Sequence, residues 1–183
     1  IKQLKLPKNI EILGRFAFSE NQIQILDLSN YINLKYIIGF AFQENQIKQL
    51  KLPSNIELID YNTFANNKIE ILDLSNCIKL ENIELGAFEE NQIKQLKLPE
   101  NIEIINSFSF YENQIEILDL SNCIKLKKIE YYAFSSNPLK EIKILGNIEI
   151  KYGENNKDDF WNKFVKYYNK NRKKSGDYKL ENN

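Results

Sequence analysis

LGRFAFSENQ at residues 13–22 returns as IIGFAFQENQ at 37–46, IDYNTFANNK at 59–68, IELGAFEENQ at 83–92, INSFSFYENQ at 105–114 and IEYYAFSSNP at 129–138. The alignment places a phenylalanine at Phe18, Phe42, Phe64, Phe88, Phe110 and Phe134, in steps of alternately 24 and 22 residues. Three residues after each stands an asparagine: Asn21, Asn45, Asn67, Asn91, Asn113 and Asn137. A fixed period in the twenties marks a solenoid, in which one supersecondary unit is wound into stacked coils.

The full unit is 46 residues in two halves. Ile1 to Gln22 and Ile23 to Gln46 form the first pair, the pair returns from Ile47 and from Ile93, and a seventh, incomplete half begins at Leu139. Each half opens on an apolar–polar alternation such as Leu4-Lys5-Leu6 or Leu26-Asp27-Leu28, which predicts a short strand with its leucines inward. Pro7, Pro53 and Pro99 follow the strand in one half, and Ser29, Ser75 and Ser121 in the other; proline suits a strand end because it lacks a backbone donor. Successive strands are then parallel and joined by right-handed crossovers. The phenylalanines track the apolar period and read as an internal spine. The asparagines read as buried amides bonding backbone groups where the coil bends.

The outward positions form columns. One is Lys5, Asp27, Lys51, Asp73, Lys97, Asp119 and Lys143; a second is Gln3, Ile25, Gln49, Ile71, Gln95, Ile117 and Glu141; an edge column is Lys2, Gln24, Lys48, Glu70, Lys94, Glu116 and Lys140. Neighbours in a column sit about 4.8 Å apart, where like charges would repel by about 1 kcal/mol per contact in water. Alternating sign converts that into weak attraction and accounts for a 46-residue period. The candidate partner-binding set is Gln3, Lys5, Ile25, Asp27, Gln49, Lys51, Ile71, Asp73, Gln95, Lys97, Ile117 and Asp119. Within it, Ile25, Ile71 and Ile117 project among polar neighbours, either as ordinary strand residues or as contact points. Phe16, Phe40, Phe108 and Tyr132 form either packing on the far side or a second exposed aromatic stripe.

The motif Leu6-Pro7-Lys8-Asn9-Ile10 followed by Leu13-Gly14-Arg15-Phe16-Ala17-Phe18-Ser19-Glu20-Asn21 resembles the repeat of the BspA-like branch of the leucine-rich repeat superfamily, over residues 1 to about 150. Thr63 and Ser109 replace the alanine before Phe, alternate coils lack the proline, and the family's ladder cysteine is asparagine throughout. The resemblance implies an α/β-type leucine-rich repeat solenoid: right-handed, with a short parallel β-sheet on its concave face and a mostly irregular, short-strand convex side. It also implies surface display, often adhesion to host or microbial partners. Related repeats in protists and large viruses leave an intracellular interaction scaffold, or a structural spacer within a longer protein, as alternatives.

Residues 1–150 are expected to form the solenoid and 151–183 a helical cap and tail. Phe160, Trp161, Phe164, Val165 and Tyr168 make a helical apolar stripe. Asp158 and Asp159 suit its N-cap and Gly176 its stop. This segment covers the apolar end of the last coil. It also resembles the stretch that closes many BspA-like arrays, here Trp161, Phe164, Tyr168, Lys173, Lys174, Gly176 and Tyr178. Lys170, Arg172, Lys173 and Lys174 form a local basic run.

Composition bounds the function. With 25 basic and 25 acidic residues the chain is neutral, which argues against a nucleic-acid partner. No apolar run reaches the ~18 residues of a membrane span. The chain has no histidine, which removes His-dependent triads and His-ligated metals. No CxxC, HExxH, Walker or GxGxxG motif is present. Cys77 and Cys123 lie two coils apart, roughly 9.5 Å, beyond the ~7 Å reach of a disulfide, and are expected unpaired. The chain lacks methionine and begins in register, so further coils and an export signal are expected upstream. The expectation is a non-catalytic, cofactor-free and metal-free monomer that binds a protein or glycoprotein, on a cell surface or secreted, with a cytoplasmic location as the alternative.

Overall fold

A computed structural model describes residues 4–153, 160–171 and 173–179. Along the chain the strands are β1 (Ile12–Leu13), β2 (Ile25–Asp27), β3 (Tyr36–Ile37), β4 (Gln49–Lys51) and β5 (Leu58–Ile59). They continue as β6 (Ile71–Asp73), β7 (Asn82–Ile83), β8 (Gln95–Lys97), β9 (Ile104–Ile105) and β10 (Ile117–Asp119). The last coil and the cap add β11 (Lys128–Ile129), β12 (Glu141–Ile144), β13 (Glu149–Ile150), helix α1 (Phe160–Lys170) and β14 (Gly176–Lys179). The even-numbered strands form one wall and the odd-numbered strands another, every pairing parallel except that of β14 on β12. The chain is therefore a β-solenoid. Its first alternation, Leu4 to Leu6, is not a strand.

Three features stack the coils. Phe42, Phe64, Phe88, Phe110 and Phe134 are fully buried, with successive rings stacked at centroid distances of 5.2–5.7 Å. Burying each ring contributes about 2–3 kcal/mol. Phe18 begins the stack at 5.3 Å from Phe42 but stays only partly buried, because it lies in the first coil.

Around each phenylalanine the backbone turns left-handed twice. The residues two before (Phe16, Phe40, Asn62, Gly86, Phe108, Tyr132) and two after (Glu20, Glu44, Asn66, Glu90, Glu112, Ser136) all have φ between 50° and 62°. The amides of Phe40, Phe42 and Glu44 donate to Tyr61, Thr63 and Ala65 on the next coil, and those of Gly86, Phe88 and Glu90 to Ser107, Ser109 and Tyr111. Left-handed geometry costs a non-glycine residue about 1 kcal/mol, offset here by bonds that would otherwise be left unmade in a bend.

The asparagine ladder is the third feature. Asn91 Oδ1 accepts the Ile69 amide at 3.1 Å, and its Nδ2 donates to the carbonyls of Phe64 (2.8 Å), Phe88 (3.3 Å) and Glu89 (3.2 Å). Asn45, Asn67 and Asn137 repeat this four-bond pattern. Asparagine suits the position because one side chain offers both an acceptor and two donors.

The aromatics two residues before the spine form two separate groups rather than one stripe. Phe16 stacks on Phe40, which meets Tyr61 edge-on; Phe108 stacks on Tyr132. Asn62 and Gly86 interrupt them.

The apolar stripe of α1 closes the last coil. Trp161 lies edge-on to Phe134 at 5.1 Å, and Tyr168 Oη donates to the Leu145 carbonyl while accepting the Ile148 amide. Gly176, expected to stop the helix, instead opens β14. The helix ends at Lys170, and Lys173 takes the left-handed φ of 54° just beyond it. Asp158 and Asp159, the expected cap, and Arg172 of the basic run lie outside the described residues.

Candidate binding surface

The even-numbered strands place the candidate residues. Ile25 and Asp27 lie on β2, Gln49 and Lys51 on β4, Ile71 and Asp73 on β6, Gln95 and Lys97 on β8, and Ile117 and Asp119 on β10. On each of these strands the flanking residues are exposed and the central leucine faces inward, so the alternation sorts the side chains as written. Register brings Ile25 beside Gln49 and Asp27 beside Lys51, then Ile71 beside Gln95 and Asp73 beside Lys97. Lys5 is exposed ahead of β2, and Gln3 lies outside the described residues.

Ile25, Ile71 and Ile117 are 61%, 57% and 56% exposed. Among the buried isoleucines of the same chain, Ile23, Ile69 and Ile115 lie two positions earlier and are at most 1% exposed. The three outward isoleucines thus form an apolar ladder on an otherwise polar wall.

The aspartates are fixed. Ser29 Oγ donates to Asp27 at 2.6 Å and the Ser29 amide donates to the same oxygen at 3.0 Å; Ser75 and Ser121 treat Asp73 and Asp119 the same way. The serine bonds hold the Asp27 and Asp73 carboxyls below the usual carboxylate value. For Asp119, burial works upward but the Ser121 hydroxyl and amide outweigh it.

Among the described residues the charge columns pair in one direction only. Lys51 reaches Asp27 at 3.7 Å, Lys97 reaches Asp73 at 3.5 Å and Lys143 reaches Asp119 at 3.9 Å. Along the edge, Lys94 reaches Glu70 and Lys140 reaches Glu116. Each of these pairs spans a 24-residue step. The sheet shows the same asymmetry: β2–β4, β6–β8 and β10–β12 each register three residue pairs, whereas β4–β6 registers only Gln49 with Ile71, and the sheet divides between β8 and β10. On this wall each 24-residue coil is therefore paired with the 22-residue coil that follows it, with a seam on either side of the pair. Exposed pairs of this kind contribute about 0–1 kcal/mol each, so they orient the face more than they stabilise it.

At the β8–β10 seam the wall opens into a groove of about 530 Å³ lined by Lys94, Leu96, Lys97, Glu116, Ile117 and Pro138. Leu96 is partly exposed there, while Leu72 and Leu118 are 1% exposed.

A second isoleucine ladder escaped the sequence reading. Ile32, Ile78 and Ile124 are 65%, 57% and 67% exposed. The equivalent Ile56 and Ile102 of the other half are buried. The longer half carries two extra residues here. Leu34, Leu80 and Leu126 take the inner slot and the isoleucine is pushed out onto a turn, which Asn55 and Asn101 brace by donating to the Ile32 and Ile78 carbonyls. The 24-residue length was the available signal.

Cys77 and Cys123 are free and buried. Burial, and then the nearby Asp73 and Asp119, push their thiols up to about 11, so they act as small apolar side chains. Among the described residues no cluster of three or more His, Cys, Asp or Glu could hold a metal, and no helix is long and apolar enough to cross a membrane.

A sequence model of the BspA type leucine rich repeat region matches six copies, over residues 1–91 and 78–155. No curated protein and no solved structure matches the chain.

Proposed function

We propose, because this chain belongs to the BspA-type leucine-rich repeat family, that its solenoid is a protein-binding module acting through the long-strand wall, and that its role is adhesion or recognition of a protein or glycoprotein at a cell surface or in the extracellular space. Leucine-rich repeat solenoids are typically non-catalytic binding modules, and the chain has no histidine.

The observation that carries this reading is the outward ladder of Ile25, Ile71 and Ile117 on strands that bury their leucines. Apolar side chains held among fixed, internally neutralised charges favour selective contact over general stickiness. Affinity capture from extracellular-matrix proteins and from cell lysate tests it, with the wild-type chain beside an Ile25/Ile71/Ile117→Lys triple variant. The expected result is a matrix or surface protein retained by the wild type and lost by the variant. Equal capture by both would remove the long-strand wall from the contact set. Capture of lysate proteins alone would favour an intracellular scaffold.

A further inference from the structure

Strand β14 finishes the even-numbered wall on an open edge. It pairs with β12 along one side, and among the described residues no strand takes its other side. An unpaired edge presents backbone N–H donors and C=O acceptors together. The same strand forms one side of a groove of about 550 Å³, lined by Phe160, Lys163, Phe164 and Tyr167 of α1 and by Asp177, Tyr178 and Lys179 of β14. Tyr178 meets Phe164 and Tyr167 edge-on at 5.0 and 5.9 Å, so strand and helix share an aromatic floor, and Tyr167 is 56% exposed. The charge here is one-sided. The described cap carries Lys163, Lys166, Lys170, Lys173, Lys174 and Lys179 against a single acidic residue, Asp177, in a chain that is neutral as a whole. Lys179 is paired with Glu141 at 3.5 Å. Lys163, Lys170 and Lys174 are exposed and make no ion pair among the described residues.

We propose that the open edge of β14 and the adjoining aromatic groove take an acidic, extended segment of a partner protein, added as a further β-strand, with alternate apolar side chains over Tyr167 and Tyr178 and carboxylates matched to the lysines of the cap. Strand addition of this kind draws its affinity from main-chain hydrogen bonds and its selectivity from pockets for alternate side chains. Charge decides against a second copy of this chain. The copy would bring the same lysines to the edge, and lysines on an edge discourage pairing with a like strand, whereas an acidic strand is attracted by them. Backbone chemistry decides against an anionic lipid surface. Its headgroups supply acceptors for the edge N–H groups but no row of donors for the edge carbonyls, and Asp177 in the groove repels them. The site shares no residue with the isoleucine ladder and stands independently of it.

The test is fluorescence anisotropy on the full chain with three labelled eight-residue peptides: one repeating Glu-Val, one repeating Lys-Val, and the Glu-Val peptide with every backbone nitrogen methylated. Methylation removes the peptide's strand donors and leaves its charge unchanged. The Glu-Val peptide is expected to bind at least tenfold more tightly than either of the others and to protect the β14 amides from hydrogen exchange. Tyr167→Glu should weaken it at least tenfold. Ile32→Glu, the same change on an exposed turn of the second coil, should leave it unchanged. Thermal unfolding of both variants should match the wild type, since both side chains are exposed. No binding of the Glu-Val peptide, equal binding of its methylated form or of Lys-Val, full affinity in Tyr167→Glu, or β14 amides left unprotected would overturn the proposal. So would tighter binding to phosphatidylserine vesicles than to the peptide, which would make the cap a lipid-contact surface, or a dimer in sedimentation with β14 already protected, which would give the edge to a second copy.

Discussion

At the residue scale, the asparagine three positions after each phenylalanine links the coils most directly. Each inner one bonds backbone groups of its own coil and of the coil before it, as Asn91 does with Ile69, Phe64, Phe88 and Glu89. Asn91 is 5% exposed, so water cannot replace those bonds. Asn91→Ala leaves a buried amide and buried carbonyls unmatched, which costs about 1–3 kcal/mol. Urea unfolding of Asn91→Ala is expected to show a fall of that size, while the exposed Asn33→Ala should fall within ~0.5 kcal/mol of wild type. Both asparagines look alike in composition. The period separates them, because only the first belongs to a ladder.

At the element scale, the left-handed turns bring carboxylates near one another. Burial, and then Asp60, push Glu84 above the ordinary 4.5; burial, and then Glu90 and Glu112, do the same to Glu89. A carboxyl raised in the folded state binds its proton more tightly there than when unfolded, so stability falls as pH rises through the raised value. Asp27 and Asp73 are lowered below 3.8, and their contribution is lost as pH falls through those lower values. The melting temperature is therefore expected to peak in mildly acidic buffer, declining toward neutrality and more steeply in strong acid. A Glu84→Gln/Glu89→Gln variant should lose the decline toward neutrality and keep the acid one, as melting curves across pH will show.

The same scale shows what the sequence disclosed. Phenylalanine spine, asparagine ladder, inward leucines and the apolar stripe of α1 each leave a periodic trace, and each is where the period put it. Strand β14 left none: Gly176 to Lys179 pairs only because β12 offers an edge at the end of the array, a tertiary cause invisible to local pattern. The seams were hidden for a related reason. Alternating Lys and Asp reads as one even column, whereas pairing depends on the 24- or 22-residue length of the intervening coil. The candidate residues on β2 to β10 were legible from alternation alone. The outward turn isoleucines Ile32, Ile78 and Ile124 were not, because an isoleucine in an apolar period reads as core until the two-residue insertion is placed in three dimensions.

At the scale of the whole molecule, stability is shared between neighbouring coils, since no coil buries its own apolar set. The cap extends this to the array's end, where Trp161 and Tyr168 occupy the place a further coil's residues would take against Phe134 and Leu145. The outcome is a stack of short parallel strands whose even-numbered wall is interrupted at the seams.

Native-state hydrogen exchange read residue by residue tests most directly whether stacked coils seal one another. The amides of Phe42, Phe64, Phe88 and Phe110, which donate to the next coil, and those of Ile47, Ile69 and Ile93, held by the asparagine ladder, are expected to exchange only through global unfolding. The Leu52 and Leu98 amides, at the seams and without a hydrogen bond among the described residues, should exchange orders of magnitude faster. Rapid exchange at the phenylalanine and isoleucine amides, or equal protection at Leu52 and Leu98, would contradict the stacked, seamed solenoid.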